Sequence, residues 1–283
     1  MKESYPLLSV VTVNYNNAHG LERTARSVRV QSAAHSFEWI IIDGGSTDGS
    51  LDVILRYQSA ISSWISQPDS GIYNAMNKGV SLARGEYVIF LNSGDEFSST
   101  TSVEEFLNIT DYRNYDILVG NTKMISAYGV ERDCMAPNIT KASDLLRSTL
   151  CHQSTFIKRS LFDKEKYDES YMISADMKFN FQKIVMEECK FMSIPVWVSR
   201  YDCGGISASR WWKTEEENQR YLKELLPALV YEDLDILIHP KDMITKVISR
   251  MPCGGIERKL VCFFVCMLYL PRWIMEKIKL VLR

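Results

Sequence analysis

Three short clusters of polar side chains follow apolar runs of the sequence, and together they could bind a polar ligand. They are Asn14–Asn17, Asp43–Asp48 and Asn92–Asp95. In open α/β sheets, ligands bind beyond the carboxyl ends of the parallel strands. A single Asp after a strand is more often a turn former or a helix cap, but three such endings are less easily explained as turns. The spacing therefore predicts a ligand site with carboxylates at one edge of a sheet.

The runs that precede these clusters are rich in β-branched and aromatic residues, which predicts buried parallel strands. Helical patterns separate the runs, and strands that alternate with helices form βαβ units with a parallel sheet. The predicted strands are Leu8–Asn14, Trp39–Asp43 and Tyr87–Leu91. The fold class is therefore α/β, with a Rossmann-like, mostly parallel sheet flanked by helices.

The second half of the chain has a looser pattern. We expect strands at Cys151–Ile157 and Phe191–Tyr201, and helices at Ala175–Glu188 and Lys213–Leu226. The predicted organisation is a nucleotide-sugar-binding half at 1–120, an acceptor and catalytic-base half of the same domain at 121–230, and a helical extension at 231–283.

The order of the motifs resembles family 2 glycosyltransferases, which have the GT-A fold. The family's D-G-[GS]-S-x-D-G-[ST] segment matches Asp43–Ser50, and its E-P-D-x-G-I-Y-D-A-M-N-K-G segment matches Gln67–Gly79. Leu91–Asp95 stands where the family carries its metal-binding D-x-D motif. The similarity is dense over residues 7–97 and extends to about residue 210. It is closest to transferases of bacterial exopolysaccharide, O-antigen and colanic-acid assembly.

The resemblance implies that strand-end and turn residues bind a nucleoside-diphosphate sugar. Asp43 would accept hydrogen bonds from the base or ribose, and Asp69 and Lys78 would complete the nucleotide pocket. The full set of expected donor contacts is Thr12, Asn14, Asn16, Asp43, Asp69, Lys78, Asn92 and Ser93.

Asp95 is the expected ligand of Mg²⁺ or Mn²⁺, which would bridge the diphosphate oxygens as a Lewis acid. Ser93 occupies the place of the motif's first Asp, so one carboxylate is missing. Mg²⁺ often uses only one or two carboxylates plus substrate phosphates. We therefore expect metal dependence despite the departure from the family pattern.

The resemblance also implies an inverting transfer in which Asp176, in the segment Ser174–Phe179, takes the proton of the acceptor hydroxyl. The alternative is that Asp176 only caps a helix. His152 is an expected acceptor or donor-sugar contact, with a buried structural histidine as the equal alternative. The expected closing loop contains Gly204 and Gly205, and either Trp211 or Trp212 behind it is expected to stack on a sugar ring.

Two other functions remain open for this sequence. The missing carboxylate at Ser93 is compatible with a non-catalytic glycan-binding or scaffolding relative. A sugar nucleotidyltransferase or dinucleotide-dependent enzyme would need a Gly-rich phosphate loop after the first strand, where this chain has Asn14–Gly20.

Composition limits the partners. The net charge of −2 argues against a nucleic-acid partner, because proteins that bind phosphate backbones normally carry a basic excess. The seven cysteines form no C-x-x-C pair, which favours reduced thiols in a cytoplasmic protein. The apolar run Leu7–Val13 is too short for the usual signal-peptide core.

The end of the sequence predicts contact with a membrane surface. Leu260–Leu270 is an apolar run of eleven residues, shorter than the roughly 20 needed for a spanning helix. Six Lys or Arg residues lie from residue 257 onward. An amphipathic helix of this kind would lie on the inner face of the cytoplasmic membrane, near a lipid-linked oligosaccharide acceptor. The alternative is a helix docked on protein.

Overall fold

A computed structural model describes residues 6–126, 128–148, 150–204 and 211–232. Its strands form one nine-stranded sheet. They are β1 (Leu8–Asn14), β2 (Phe37–Asp43), β3 (Ser63–Ser66), β4 (Tyr87–Phe90), β5 (Glu96–Phe97), β6 (Ile117–Ile125), β7 (Glu131–Cys134), β8 (Thr155–Lys158) and β9 (Phe191–Asp202).

Seven α-helices of the described residues up to Leu225 pack around this sheet. They are α1 (Ala18–Arg29), α2 (Ser50–Arg56), α3 (Ile72–Leu82), α4 (Ser102–Leu107), α5 (Ala142–Arg147), α6 (Ala175–Phe181) and α7 (Trp211–Leu225). None of the described helices is long and apolar enough to cross a membrane.

The strand order is β3-β2-β1-β4-β8-β6-β9-β5, with β7 beside β6. Neighbours among β1 to β4 run parallel, as do β6 and β9, whereas β8 runs antiparallel to both β4 and β6. These pairings leave only β5, β7 and β8 opposed to the other strands, which confirms the predicted mostly parallel α/β sheet.

The strands at the centre of the sheet are buried on both faces, as their continuous apolar sequences predicted. All seven residues of β1 and all four of β4 are buried. The core that they form continues through Phe156 of β8 and Val198 of β9. Both predicted halves therefore share one core, and the predicted boundary at residue 120 falls inside β6.

Two glycines allow close packing against β1. A Cβ on Gly79 of α3 would lie 2.3 Å from Val11 Cγ1, and one on Gly85 would lie 2.5 Å from the backbone nitrogen of Ser9. Both distances are far below van der Waals contact, so a side chain at either position requires its neighbours to move.

Two elements near the site differ from their prediction. The expected strand Cys151–Ile157 begins as a 3₁₀ turn at His152–Ser154, because the Ser154 hydroxyl turns toward Thr122 and Ser199. The expected helix Ala175–Glu188 becomes a π-helix at Gln182–Met186.

The chain divides into two compact units, Met1–Leu225 and Leu226–Arg283. Of the second unit, residues 226–232 are described, and 228–232 are helical. The predicted amphipathic tail lies outside the described residues.

Candidate active site

Hydrogen bonds join the turns after β1, β2 and β4 at the carboxyl edge of the sheet. Asn14 Nδ2 donates to Asp43 Oδ1 at 2.7 Å, and the Asn16 backbone nitrogen donates to Ser46 Oγ at 2.8 Å. Asn17 Nδ2 donates to the Ser93 carbonyl at 3.0 Å. The three polar clusters that the sequence placed at one edge therefore do meet there.

Asp43 is fully buried at this junction. Its carboxylate accepts hydrogen bonds from Asn14, from the Ser46 backbone and hydroxyl, and from Ser66 Oγ at 2.7 Å. Burial by itself raises the pKa of the Asp43 carboxyl, but these hydrogen bonds outweigh it and hold the pKa below the ordinary value. Asp43 thus fixes the turn after β2. To bind the nucleotide sugar, its carboxylate would have to exchange one of these hydrogen-bond partners.

Asp69 and Lys78 lie beside that turn. Asp69 Oδ1 accepts from the Gly71 backbone at 3.0 Å, and Lys78 Nζ donates to the Pro68 carbonyl at 3.2 Å. A Cβ on Gly44 would lie 2.6 Å from Asp69 Oδ2 and 3.1 Å from the ring of Tyr15. Tyr15, which no sequence motif singled out, is 66% exposed. Together Gly44, Asp69 and Tyr15 border a niche beside the turn.

Thr12 corrects the predicted donor set. It is fully buried, and its hydroxyl accepts a hydrogen bond from Trp39 Nε1 at 3.0 Å. Because β1 is buried on both faces, alternation along the strand did not reveal that this side chain points into the core. Thr12 is therefore a core residue and does not line the edge.

Asp95 is buried next to the end of β9. Its Oδ1 accepts from the Asp202 backbone nitrogen at 3.2 Å, and burial raises the pKa of the Asp95 carboxyl to about 7, although the nearby His152 opposes the rise. Thr24 Oγ1 fixes the same turn by donating to the Asp95 carbonyl at 2.7 Å.

Arg23 brings a positive charge to this turn. One guanidinium nitrogen donates to Asp202 Oδ2 at 2.7 Å and to the Gly94 carbonyl at 3.3 Å. The Arg23 side chain remains 39% exposed. A cation therefore lies beside the turn in which Ser93 replaces a carboxylate.

The residues at this turn fit a metal ion only if the substrate completes its coordination. Among the described residues, no group of three or more His, Cys, Asp or Glu side chains could hold a metal ion. Asp95 lies beside Asp202, but the Asp202 carboxylate is paired with Arg23. Mg²⁺ accepts one or two carboxylates together with phosphate oxygens and water, and Asp95 meets that requirement.

Asp176 lies in the first turn of α6 and is only 7% exposed. Its Oδ1 accepts from Tyr73 Oη at 2.8 Å and from the Met177 backbone at 3.0 Å, while its Oδ2 lies 3.2 Å from His152 Nδ1. His152 Nε2 lies 3.0 Å from Asn92 Nδ2. This chain of contacts brings the expected base to the turn that carries Asp95.

His152 is not an isolated core histidine. Burial alone would lower the pKa of the His152 imidazole, but the Asp176 carboxylate accepts from it and raises that pKa above the ordinary value. Asp95 adds to the rise through its negative charge. The charge of the His152 ring is therefore coupled to the charges of Asp176 and Asp95.

Glu217 of α7 was not predicted. Its carboxylate is 3% exposed and accepts from three successive backbone nitrogens, those of Met172, Ile173 and Ser174, at 2.8 to 2.9 Å. These donors lie just before Asp176. A Glu on a charged helical surface gives no sequence signal for such a distant role.

The loop residues are only partly described. The Gly204 backbone donates to Asp202 Oδ1 at 2.9 Å, and Trp212 is 57% exposed. Gly205 and the side chain of Trp211 lie outside the described residues. The sugar-stacking role of Trp211 or Trp212 stays a prediction.

Curated relatives are similar to most of the chain. An uncharacterized glycosyltransferase of Mycobacterium tuberculosis is 30% identical over 210 residues, 73% of this chain and 79% of the relative. A PGL/p-HBAD biosynthesis glycosyltransferase of Mycobacterium bovis is 28% identical over 208 residues, 69% of this chain and 73% of the relative.

Solved structures show the same GT-A fold. S. aureus TarS has a TM-score of 0.62 at 20% identity, over 82% of this chain and 42% of that protein. A mannosyltransferase from Pyrobaculum calidifontis, solved with GDP-Man and Mn²⁺, has a TM-score of 0.61 at 13% identity, over 95% of this chain and 82% of that protein.

The family model described as Glycosyl transferase family 2 matches residues 9–186, which include the three strand-end turns and Asp176. The chain therefore belongs to glycosyltransferase family 2.

Proposed function

We propose that this protein is an inverting glycosyltransferase that moves a sugar from a nucleoside-diphosphate sugar to a hydroxyl of a glycan acceptor. One observation carries the proposal. The contacts from Asn92 through His152 to Asp176 join the turn of Asp95, expected to hold the diphosphate, to the expected base. An inverting transferase needs the diphosphate site on one side of the anomeric carbon and the base on the other.

In the proposed reaction the acceptor oxygen attacks the anomeric carbon while the bond from that carbon to the diphosphate oxygen breaks. The bonding electron pair leaves with the nucleoside diphosphate. As the acceptor oxygen bonds to the anomeric carbon, the proton of the acceptor hydroxyl passes to the carboxylate of Asp176. Attack from the face opposite the leaving group inverts the anomeric configuration.

The donor would lie along the edge formed by the strand-end turns. Asp43 fixes the first two turns, and Asp69, Lys78 and Tyr15 border the niche beside them. Asn14, Asn16 and Ser93 take part in the hydrogen bonds that join the turns, so their contribution to binding is in part to hold the edge in shape.

Mg²⁺ or Mn²⁺ bound at Asp95 would neutralise the charge that builds on the departing diphosphate. Arg23 lies at the same turn and would add positive charge there by exchanging its partner Asp202 for a diphosphate oxygen. Positive charge aimed at a leaving group is among the largest contributions to transfer reactions.

We propose bacterial surface polysaccharide or glycolipid synthesis as the setting, with a lipid-linked oligosaccharide as acceptor at the cytoplasmic face of the membrane. The support is a relative named for PGL/p-HBAD biosynthesis and the basic, apolar sequence at 257–283. The P. calidifontis neighbour binds GDP-Man, which supports a nucleotide-sugar donor here.

The test is release of nucleoside diphosphate from a panel of UDP-, GDP- and dTDP-sugars, with Mn²⁺ or Mg²⁺ and then with EDTA. We expect metal-dependent release from one donor by the wild type, and loss of that release in Asp95→Ala. No release with added glycan acceptors, together with no binding of any nucleoside diphosphate by calorimetry, would support the scaffolding alternative that Ser93 suggests.

A further inference from the structure

We propose that Tyr73, His152 and Glu217, together called the Asp176 clamp, are positioning residues that hold the carboxylate of Asp176 in its reactive orientation. The inference rests on the proposed function, because it assigns the clamp to the base of that reaction. The three residues come from distant parts of the chain and meet only around α6.

Two members of the clamp hold the carboxylate itself. Tyr73 Oη lies 2.8 Å from Oδ1 of Asp176 and also contacts the Ile173 carbonyl, so its one proton is shared between these two acceptors. His152 Nδ1 lies 3.2 Å from Oδ2 of Asp176. Each oxygen is thus held by a different side chain, which prevents rotation of the carboxylate. Tyr73 is 5% exposed, and burial raises the pKa of its hydroxyl well above the ordinary value, so the hydroxyl keeps its proton.

The contact with Asp176 determines which imidazole nitrogen carries the proton. The ionised Asp176 carboxylate can only accept, so Nδ1 of His152, 3.2 Å from Oδ2, carries a proton. On the neutral ring Nε2 then has a free lone pair, and it lies 3.0 Å from the side-chain amide of Asn92. This arrangement ties the orientation of the base to the turn of Asp95.

Glu217 holds the backbone that carries Asp176. The side chain of Ser174, the residue before α6, makes no capping hydrogen bond. Instead, the buried Glu217 carboxylate accepts from the backbone nitrogens of Met172, Ile173 and Ser174. Ser174 is the N-cap residue of α6 and the other two donors precede it, so a side chain from another helix fixes the backbone that leads into α6.

The chain offers a matched control for Tyr73→Phe. Tyr167 is 3% exposed, its ring centroid lies 5.5 Å from that of Tyr73, and among the described residues its hydroxyl has no hydrogen-bond partner. Both substitutions remove one buried hydroxyl from the same aromatic cluster, but only Tyr73→Phe removes hydrogen bonds, to Asp176 and to the Ile173 carbonyl in the turn before it.

The test compares steady-state kinetics of Tyr73→Phe, Tyr167→Phe and wild type with the donor found active. We expect kcat of Tyr73→Phe to fall about tenfold or more, because a hydrogen bond to a charged group is lost, with donor KM and nucleoside diphosphate affinity unchanged. Tyr167→Phe should keep the wild-type kcat. Equal kcat in all three proteins, or equal losses in both variants, would overturn the clamp.

Glu217→Gln tests the backbone half, with Glu216→Gln as its control. Glu216 lies on the same helix, and its carboxylate pairs with Lys213 at the surface. We expect a fall in kcat at unchanged donor affinity for Glu217→Gln alone. Wild-type kcat in a folded Glu217→Gln protein would remove Glu217 from the clamp.

A spectroscopic measurement separates the clamp from the proposed function. The chain has four histidines, so ¹⁵N NMR of their rings is tractable and His152→Gln identifies the His152 signals. We expect a protonated Nδ1 in the free protein, with a changed Nδ1 signal in Asp176→Asn. A protonated Nε2 with a bare Nδ1 would overturn the clamp even in an active enzyme. A wild type that transfers no sugar would instead overturn the proposed function.

Discussion

At the residue scale, the chemistry of the site depends on how burial changes each carboxyl group. Asp43 and Asp95 both follow strands and are both buried, but the pKa of Asp43 is lowered by its many donors whereas that of Asp95 is raised to about 7. The first is suited to remain ionised as a fixed anchor. The second gains most from a cation that arrives with the substrate.

Asp95→Asn should stabilise the metal-free protein above neutral pH. The folded protein keeps a proton on Asp95 up to about pH 7, whereas the unfolded chain releases it near pH 3.8. The free energy of unfolding therefore includes a favourable contribution from this carboxyl that is full below pH 3.8 and is lost as pH rises through 7. Asn carries no charge to bury. In EDTA we expect Asp95→Asn to exceed the wild type by at most about 4 kcal/mol at pH 8 and to match it near pH 4.

Chemical denaturation of both proteins at the two pH values measures this difference. The exposed Asp52→Asn in the first turn of α2 serves as the control and should change stability by no more than about 1 kcal/mol at either pH. Lower stability of Asp95→Asn than of wild type at pH 8 would contradict the account.

At the element scale, close packing of the helices and turns on β1 places the site. Gly85→Ala should destabilise the protein by about 2–3 kcal/mol or more, because its Cβ would lie 2.5 Å from a backbone nitrogen of β1. Gly79→Ala meets only side chains, those of Val11 at 2.3 Å and Ile42 at 3.5 Å, and gains helix propensity, so we expect a smaller loss. Denaturant titration measures the loss of unfolding free energy in both variants, and a larger loss for Gly79→Ala than for Gly85→Ala would be inconsistent with this packing.

The elements also show what the sequence could predict. Continuous apolar runs identified β1, β2 and β4, and a strand end followed by polar residues identified the turns that meet at Asp43 and Asn92. The π-helix at Gln182–Met186 has no local sequence signal. Lys183 within it is 1% exposed and pairs with Glu165, 18 residues earlier, at 3.4 Å, a contact that a local pattern does not report.

The same limit explains the residues that were missed. Thr12 was misassigned because a strand buried on both faces has no polar alternation to show direction. Tyr73 and Glu217 reach Asp176 or its turn across 103 and 43 to 45 residues, and no local pattern reports such contacts. Motif resemblance did locate Asp176 and His152, whose contact the structure shows at 3.2 Å.

At the scale of the whole molecule, the sequence predicts that the catalytic unit is brought to a membrane by its C-terminal segment. A chain ending at residue 256 should lose binding to anionic liposomes that the full chain retains, because it lacks the apolar run and six basic residues. Liposome co-sedimentation measures this, with neutral liposomes as the control. Unchanged binding after truncation would favour a segment that packs on protein.

Inverting transfer with Asp176 as the base leaves a signature in the product. NMR of the sugar transferred from the active donor to an acceptor hydroxyl reads it, with wild type and Asp176→Asn side by side. We expect a product whose anomeric configuration is opposite to that of the donor, formed at least about a hundredfold more slowly by Asp176→Asn, which still binds the nucleoside diphosphate. A product with retained configuration, or equal rates from the two proteins, would contradict inverting transfer with Asp176 as the base.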